Sequence, residues 1–415
     1  MRKLLSLAMM ACAATSAFAG GYRVSLQGQK QLGMGHTGVA VVNSAEVLFF
    51  NPAGAVFLKD RFNVSVGANA LFARTKFQNE EYNWKASTSN TGTPFSLYAS
   101  YKVLDCVALG VAVYTPYGSA VSWDKDWVGS HLVNNIDLEA IYIQPIASIK
   151  VNDKFSVGGG PIYVTGGVEL NRNLTRSLTD EQGNRSDITI KAQNVTAWGW
   201  SAGFMFNPTE KIRLGVNYRS EITMKARGGD ATFHDLPAFA QGIYTNTTFN
   251  ANLPLPAELT AGFSVQLTDK WLVAFDYNRA FWNVYKSLNV DFASGIPSSV
   301  NPRNYHDAST FRVGTQFKPN DKIALRAGWY YDESPVQKGY FAPETPRNDS
   351  MGFTGGFTYQ FAPKFGVDVS FLYLRFAETK ASYDHYTEDG NPNVSFGGTY
   401  KNVVFSPGVG LTYSF

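Results

Sequence analysis

The sequence predicts an all-β fold, a transmembrane antiparallel β-barrel of about 14 strands with an N-terminal plug (hatch) inside its lumen. Three observations carry that expectation. The chain opens on an export signal, and apolar residues then alternate with small or weakly polar ones in run after run. No later segment holds the roughly 18 to 20 consecutive apolar residues that a membrane-crossing helix needs. An exported chain with 14% aromatics, 38 glycines and only 17% charged residues fits the other architecture that crosses a bilayer. In a closed barrel every backbone polar group is satisfied between strands.

The first element is a signal peptide, residues 1–19. Arg2 and Lys3 supply a positive start, Leu4 to Ala14 an apolar run, and Ala17-Phe18-Ala19 a small-x-small cleavage site. Met9-Met10-Ala11-Cys12 faintly resembles a lipoprotein box, but more apolar sequence follows Cys12 and the better cleavage site lies beyond it. Of two cysteines only Cys106 would survive processing, which excludes a disulfide scaffold and a thiolate metal cluster. A net charge of +3, from 36 basic and 33 acidic residues, is too nearly balanced for a nucleic-acid partner.

Residues 20–60 form the second element. Gly33, Gly35, Gly38 and Gly54 punctuate it, Val39 to Val42 are apolar, and no alternation is sustained. Such a segment cannot face lipid. Its apolar content favours packing in the lumen as a plug; an additional strand pair at the start of the barrel is the competing reading.

Residues 61–415 form the barrel. Val403, Phe405, Pro407, Val409, Leu411, Tyr413 and Phe415 alternate with Ser406, Gly408, Gly410, Thr412 and Ser414, the period-2 signature of a strand with one apolar face. The same pattern places strands at about 61–77, 93–103, 105–115, 137–151, 155–172, 187–207, 211–226, 253–268, 270–287, 306–318, 320–333, 348–362, 365–383 and 399–415. Tight junctions such as Val151-Asn152-Asp153-Lys154, Asn207-Pro208-Thr209-Glu210 and Lys318-Pro319-Asn320-Asp321 read as periplasmic turns. The longer insertions 227–252, 287–305 and 384–398 belong on the extracellular side. Trp84, Trp123, Trp127, Trp198, Trp200, Trp271, Trp282 and Trp329 lie in or near strand ends, the place of interfacial girdles in contact with outer-membrane lipid. The final Tyr413-Ser414-Phe415 resembles the terminal signal read by the barrel-assembly machinery of Gram-negative bacteria.

Several stretches, in order along the mature chain, resemble the outer-membrane long-chain fatty-acid transporter family, which includes aromatic-hydrocarbon channels. The Gly-rich N-terminal segment leads to Asn51-Pro52-Ala53, similar to the family's hatch element. Ala108 to Gly118, ending Tyr114-Thr115-Pro116-Tyr117-Gly118, is similar to the third strand and its kink. Leu253-Pro254-Leu255-Pro256 is similar to the start of a mid-chain strand, and Trp329 to Val336 to a stretch of the form Asp-Asp/Glu-Ser-Pro-Val. The resemblance implies passive uptake of long-chain fatty acids or similar hydrophobic small molecules. Ligand would enter from the extracellular loops, settle in apolar sites and leave sideways beside the third strand.

The residues support that account in part. Pro116 has no N–H and Gly118 no side chain, so a ladder containing Pro116, Tyr117 and Gly118 should break or bulge; a simple turn after a strand is the alternative. Asn51, before Pro52, is biased toward an extended conformation that holds Ala53 and the plug in one arrangement, unless it marks an ordinary turn. For a carboxylate, Arg172, Arg219, Arg312 and Arg326 are candidate contacts by strand location, against the plainer role of rim or solvated charges. Thr165 stands where the resemblance leads one to look for an arginine, which leaves a neutral hydrophobic substrate open. No catalytic residue, cofactor or metal site is expected. His36, His131, His234, His306 and His385 show neither a nucleophile context nor metal-ligand spacing. Gly158-Gly159-Gly160 lies between two strands and so is not a phosphate loop, and Asp180 to Asp187 lacks the oxygen spacing of a calcium loop. A general or solute-selective porin is the rival function; it requires an open, charged lumen.

Overall fold

Alternating side chains close the chain into a ring. The structure, a computed structural model, describes residues 21–79, 81–388 and 391–415; the expected signal peptide lies outside the described residues. The strands are β1 (Phe62–Asn69 and Leu71–Gln78), β2 (Lys85–Gly92 and Phe95–Leu104), β3 (Val107–Ser122), β4 (Asn135–Lys150), β5 (Phe155–Asn173), β6 (Asp187–Phe206) and β7 (Ile212–Arg219 and Ile222–His234). They continue with β8 (Thr247–Leu255 and Glu258–Thr268), β9 (Trp271–Ala280 and Ser287–Phe292), β10 (Ser299–Pro302 and Ala308–Asn320), β11 (Ile323–Asp332), β12 (Ser350–Ala362), β13 (Phe365–Phe376 and Thr379–Glu388) and β14 (Asn391–Ser414). Each pairs antiparallel with its sequence neighbour, and β14 returns to β1 through Asn63↔Ser414 and Phe72↔Phe405. The result is a closed barrel of fourteen strands.

The predicted alternation is realised. In β12, Phe353, Phe357, Tyr359 and Phe361 are exposed on the outside, whereas Thr354 and Thr358 are buried within. The tight turns owe their shape to short polar side chains. Asn152 Oδ1 accepts from the N–H groups of Lys154 and Phe155 at 2.9 and 3.0 Å, and Asn320 Oδ1 accepts from Lys322 and Ile323 at the same distances.

Two expectations are corrected. The strands run past the bounds read from the alternation into the insertions 227–252, 287–305 and 384–398, β14 over 24 residues. Beyond the apolar band both faces of a strand meet water, so the alternation fades while backbone pairing continues. The tryptophans are not all girdle residues. Trp84, Trp198, Trp200, Trp271 and Trp329 are exposed, but Trp123, Trp127 and Trp282 are buried. Trp123 stacks on Trp127 at 4.2 Å, and Trp282 packs edge-on against Tyr22 at 4.9 Å. In both places a large ring fills interior volume next to other aromatics.

Residues 21–58 carry only short elements: α1 (Gln29–Leu32), α2 (Val47–Phe50) and a 3-10 turn, Pro52–Phe57. Almost every residue of this segment is buried, and its partners are inward-facing groups around the whole ring. Gly38 and Val39 donate their N–H groups to Asp276 Oδ2 on β9 at 2.7 and 3.0 Å. Gly35 N–H donates to Thr354 Oγ1 on β12 at 2.7 Å. Gln29 donates to Asn69 on β1 at 2.8 Å and accepts from Ser370 on β13. Its one strand-like contact is an isolated bridge, Arg23↔Tyr117.

Candidate ligand-binding site

Asn51 occupies an extended conformation (φ −159°, ψ 98°), as its place before proline dictates. Its Oδ1 accepts from Ala53 N–H at 3.1 Å and its Nδ2 donates to the carbonyls of Val39 at 2.8 Å and Phe204 at 3.0 Å. One amide thus ties the 3-10 turn, the segment's own loop and the β6 wall together. Pro52 begins the turn without wasting a donor. Ala53 carbonyl accepts from Ser148 Oγ at 3.0 Å and Ser156 Oγ at 2.6 Å on β4 and β5. The wall is cut back to admit this turn. A Cβ on Gly158 would lie 2.7 Å from Ala53 N, and one on Gly203 2.2 Å from Asn51 Oδ1. The Gly158-Gly159-Gly160 run lies inside β5 and not between two strands, and its first residue serves as a seat for the turn.

Pro116, Tyr117 and Gly118 remain inside β3 rather than forming a turn. The β3–β4 register slips between Tyr114 and Tyr117. On its other edge β3 pairs with β2 only as far as Ser96↔Tyr114, while Lys85–Gly92 pairs with β1 alone. The ladder between β2 and β3 is therefore missing from Thr115 onward among the described residues. The N-terminal segment takes over those backbone groups from within: Val24 N–H donates to Pro116 carbonyl at 2.7 Å, and Gly118 N–H to Tyr22 carbonyl at 2.9 Å.

Arg23, in the middle of that run, is buried and reaches across the lumen. Its Nη1 donates to Asn278 Oδ1 at 2.5 Å and Glu258 Oε2 at 3.3 Å; its Nη2 donates to Thr310 Oγ1 and Asp332 Oδ1, each at 2.8 Å. Tyr117 hydroxyl donates to the other oxygen of Glu258 at 2.8 Å. One guanidinium thus cross-links strands β8 to β11, and the Tyr117 hydroxyl ties the kinked β3 to the same Glu258.

Above Tyr22 lies an apolar cavity of about 70 Å³, walled by Leu138, Val168, Ile190, Met224, Phe249 and Val290 among others, with Glu344 and Thr345 closing it from a loop. Glu344 is paired with Arg303, and Ser119 Oγ donates to its carbonyl at 3.4 Å. On the other side of the Tyr22–Val24 run, a polar cavity of about 30 Å³ is lined by Arg23, His36, Arg219, Glu258 and Arg312. Burial, followed by Arg312 and Arg23, holds the His36 imidazole well below its usual range and therefore neutral.

The four arginines named from sequence do not converge. Arg219 and Arg312 share the polar cavity; Arg219 lies 4.6 Å over the Phe49 ring and donates to Phe49 carbonyl at 3.2 Å. Arg172 sits toward the long loops, donating to His131 carbonyl at 3.4 Å and Ser299 Oγ at 3.1 Å. Arg326 is at the short-turn end, held by Gln316 at 2.9 Å and Thr358 at 2.6 Å. Thr165 lines an external crevice and not the lumen. Sequence reasoning missed Arg23, Tyr22, Trp282 and the Arg303–Glu344 pair. A readable signal existed for one part: Glu258 and Asp276 stand on polar strand faces, and a buried carboxylate requires a partner.

A closed barrel with an apolar outer band, whose inward-facing side chains bind the chain's own N-terminal segment, defines an outer-membrane β-barrel protein. The chain belongs to the family described as "Outer membrane protein transport protein (OMPP1/FadL/TodX)", which matches residues 10–415. That family consists of Gram-negative outer-membrane channels for hydrophobic compounds and not of enzymes. Outer membrane protein P1 of Haemophilus influenzae is 26% identical over 462 aligned residues, covering 100% of this chain and 99% of that protein. The long-chain fatty acid transport protein of Escherichia coli (strain K12) is 21% identical over 434, covering 95% and 97%. A crystal structure of a Pseudomonas aeruginosa FadL homologue superposes with a TM-score of 0.85 at 19% identity, covering 95% of this chain and all of that one, a likeness of fold.

Proposed function

We propose that this protein takes up long-chain fatty acids or similar hydrophobic compounds passively. On this reading, residues 20–60 act as a plug, the apolar cavity above Tyr22 is the binding site, and the β2–β3 gap is the lateral exit. The observation that carries it is the conjunction of cavity and gap at one place. The backbone run that floors the cavity is the same run that occupies the unpaired edge of β3, so moving it frees the site and the wall together. At about 70 Å³ the cavity is far smaller than the roughly 300 Å³ at which ligand sites begin. A ligand therefore has to displace part of its surroundings, and the Tyr22–Val24 run is the element that borders both the cavity and the unpaired edge of β3. Its displacement would join the apolar cavity to the polar one, giving a tail site continuous with Arg219 and Arg312 for a carboxylate. The apolar, aromatic outer band suits contact with outer-membrane lipid, and Tyr413-Ser414-Phe415 suits handling by the barrel-assembly machinery.

The test is uptake by cells lacking their own hydrophobic channel and expressing either the intact protein or a variant without residues 20–58. Labelled palmitate and a labelled small sugar are compared. Palmitate entry through the intact protein, with sugar leaking only through the truncated form, is expected. Equal sugar passage through both, with no palmitate uptake, would make the protein a porin.

A further inference from the structure

A cavity at the short-turn end is not apolar. Its volume is about 410 Å³, and it lies between the N-terminal segment at residues 42–45 and 58–60, the ends of β1, β10, β11, β12 and β14, and the turns around Asp321 and Lys364. Six basic side chains line it, Lys30, Lys59, Lys318, Lys322, Arg326 and Lys364, against two carboxylates, Asp60 and Asp321. The whole chain carries a net charge of only +3, so positive charge is gathered here rather than spread over the molecule.

Lysines at turn tips commonly do no more than keep a rim solvated. Here they converge on a concavity, where low-dielectric walls focus their field. Lys30 and Arg326 lie near one carboxylate, Asp368, each at 3.9 Å. Among the described residues no carboxylate lies within ion-pair distance of Lys59, Lys318, Lys322 or Lys364. A neutral donor points the same way. Asn43, at the cavity wall, has its oxygen taken by Gln31 at 2.8 Å while its Nδ2 has no acceptor. Gathered cations with an unfilled donor and too few counter-charges are the chemistry of an anion site.

We propose that this vestibule binds the anionic head group, carboxylate or phosphate, of an amphiphile. Two sources offer that chemistry, a transported fatty acid that reaches the short-turn end after release and an anionic phospholipid of the adjacent leaflet. The fatty-acid source rests on the transport reading above; the binding itself does not.

The experiment uses purified full-length protein in a neutral maltoside detergent, titrated calorimetrically with dodecanoate, with dihexanoylphosphatidylglycerol and with dodecanol. The wild type is compared with the triple variant Lys59→Gln, Lys318→Gln, Lys322→Gln, whose changes are at exposed side chains and leave the barrel's heat-resistant folded band on gels as a check. The expected result is that the variant binds at least one of the two anions about tenfold more weakly, that wild-type binding of that anion weakens as salt rises, and that dodecanol is unaffected. Loss confined to dodecanoate identifies the cargo as the source; loss confined to the phospholipid identifies the leaflet. Unchanged affinity for both anions in the folded variant, or an equal loss for dodecanol, overturns the proposal. Wild-type cells that take up no palmitate, together with anion binding that the variant loses, would remove the transport reading and leave this site standing.

Discussion

Replacing Arg23 by methionine removes the guanidinium that spans the lumen while keeping a long side chain. Four acceptors lose a donor: Asn278, Thr310, Asp332 and Glu258. Breaking a buried ion pair from one side costs roughly 3 to 5 kcal/mol, since the remaining charge stays desolvated. The lower end applies here, because Asp332 keeps Thr310 Oγ1 at 2.5 Å and Glu258 keeps Tyr117 hydroxyl at 2.8 Å and Arg219 at 3.9 Å. About 3 kcal/mol corresponds to roughly a hundredfold shift toward the undocked segment, at 1.4 kcal/mol per factor of ten. Hydrogen–deuterium exchange read on the peptide covering Tyr22 to Gln27 should therefore accelerate about a hundredfold, with strand peptides of β12 and β13 unchanged. Adding Asp332→Asn to the variant should recover part of the protection by removing the charge that Arg23 alone had paired. Unaltered exchange at Tyr22 to Gln27 in a folded Arg23→Met protein would refute the idea that this arginine secures the segment.

Other tests follow from the same contacts. Burial, then Asp368, raises the Glu46 carboxyl to about 7 although it accepts from Gln29 N–H at 2.9 Å. A carboxyl whose folded value exceeds its unfolded one favours folding most when protonated, so docking of residues 29–46 should be tightest below about pH 4.5 and weaken as pH rises through 7. The total change is ~3 kcal/mol at most; exchange at Gln29 to Leu32, corrected for intrinsic rates, should show it, and Glu46→Gln should flatten the profile. In Gly203→Ala the new methyl meets Asn51 Oδ1 at 2.2 Å, and overpacking of about 1 to 3 kcal/mol should expose the Pro52–Phe57 turn to limited proteolysis; resistance equal to wild type counts against the seat. Leu138→Trp fills the apolar cavity and should cut palmitate uptake several-fold with no change in barrel melting. Arg312→Gln should reduce the preference for a fatty acid over its methyl ester by about tenfold, the loss of one charge-assisted hydrogen bond; an unchanged ratio would clear Arg312 of a carboxylate role.

Some of the candidate site was legible and some was not, for reasons visible in single residues. Asn51-Pro52 could be read because proline restricts the residue before it, a constraint between neighbours. Pro116 and Gly118 marked a weak ladder for the same kind of reason, but whether β3 would turn or slip there depended on what waited on its inner side. The arginines were placed on strands correctly, yet nothing in their spacing separates Arg312 beside Arg219 in the polar cavity from Arg326 at the short-turn end.

The sequence by itself determined the period-2 strands, the tight polar turns and so the closed fourteen-stranded barrel, because strand faces and turns arise from interactions between residues two to four apart. Tertiary structure alone decided which residues meet across the lumen. Arg23 finds Asp332 over a separation of 309 residues, Tyr22 finds Trp282, and the backbone of Val24 completes an edge that β2 abandons. Such meetings depend on ring closure, which brings distant positions to one axis and leaves no periodic mark on the chain.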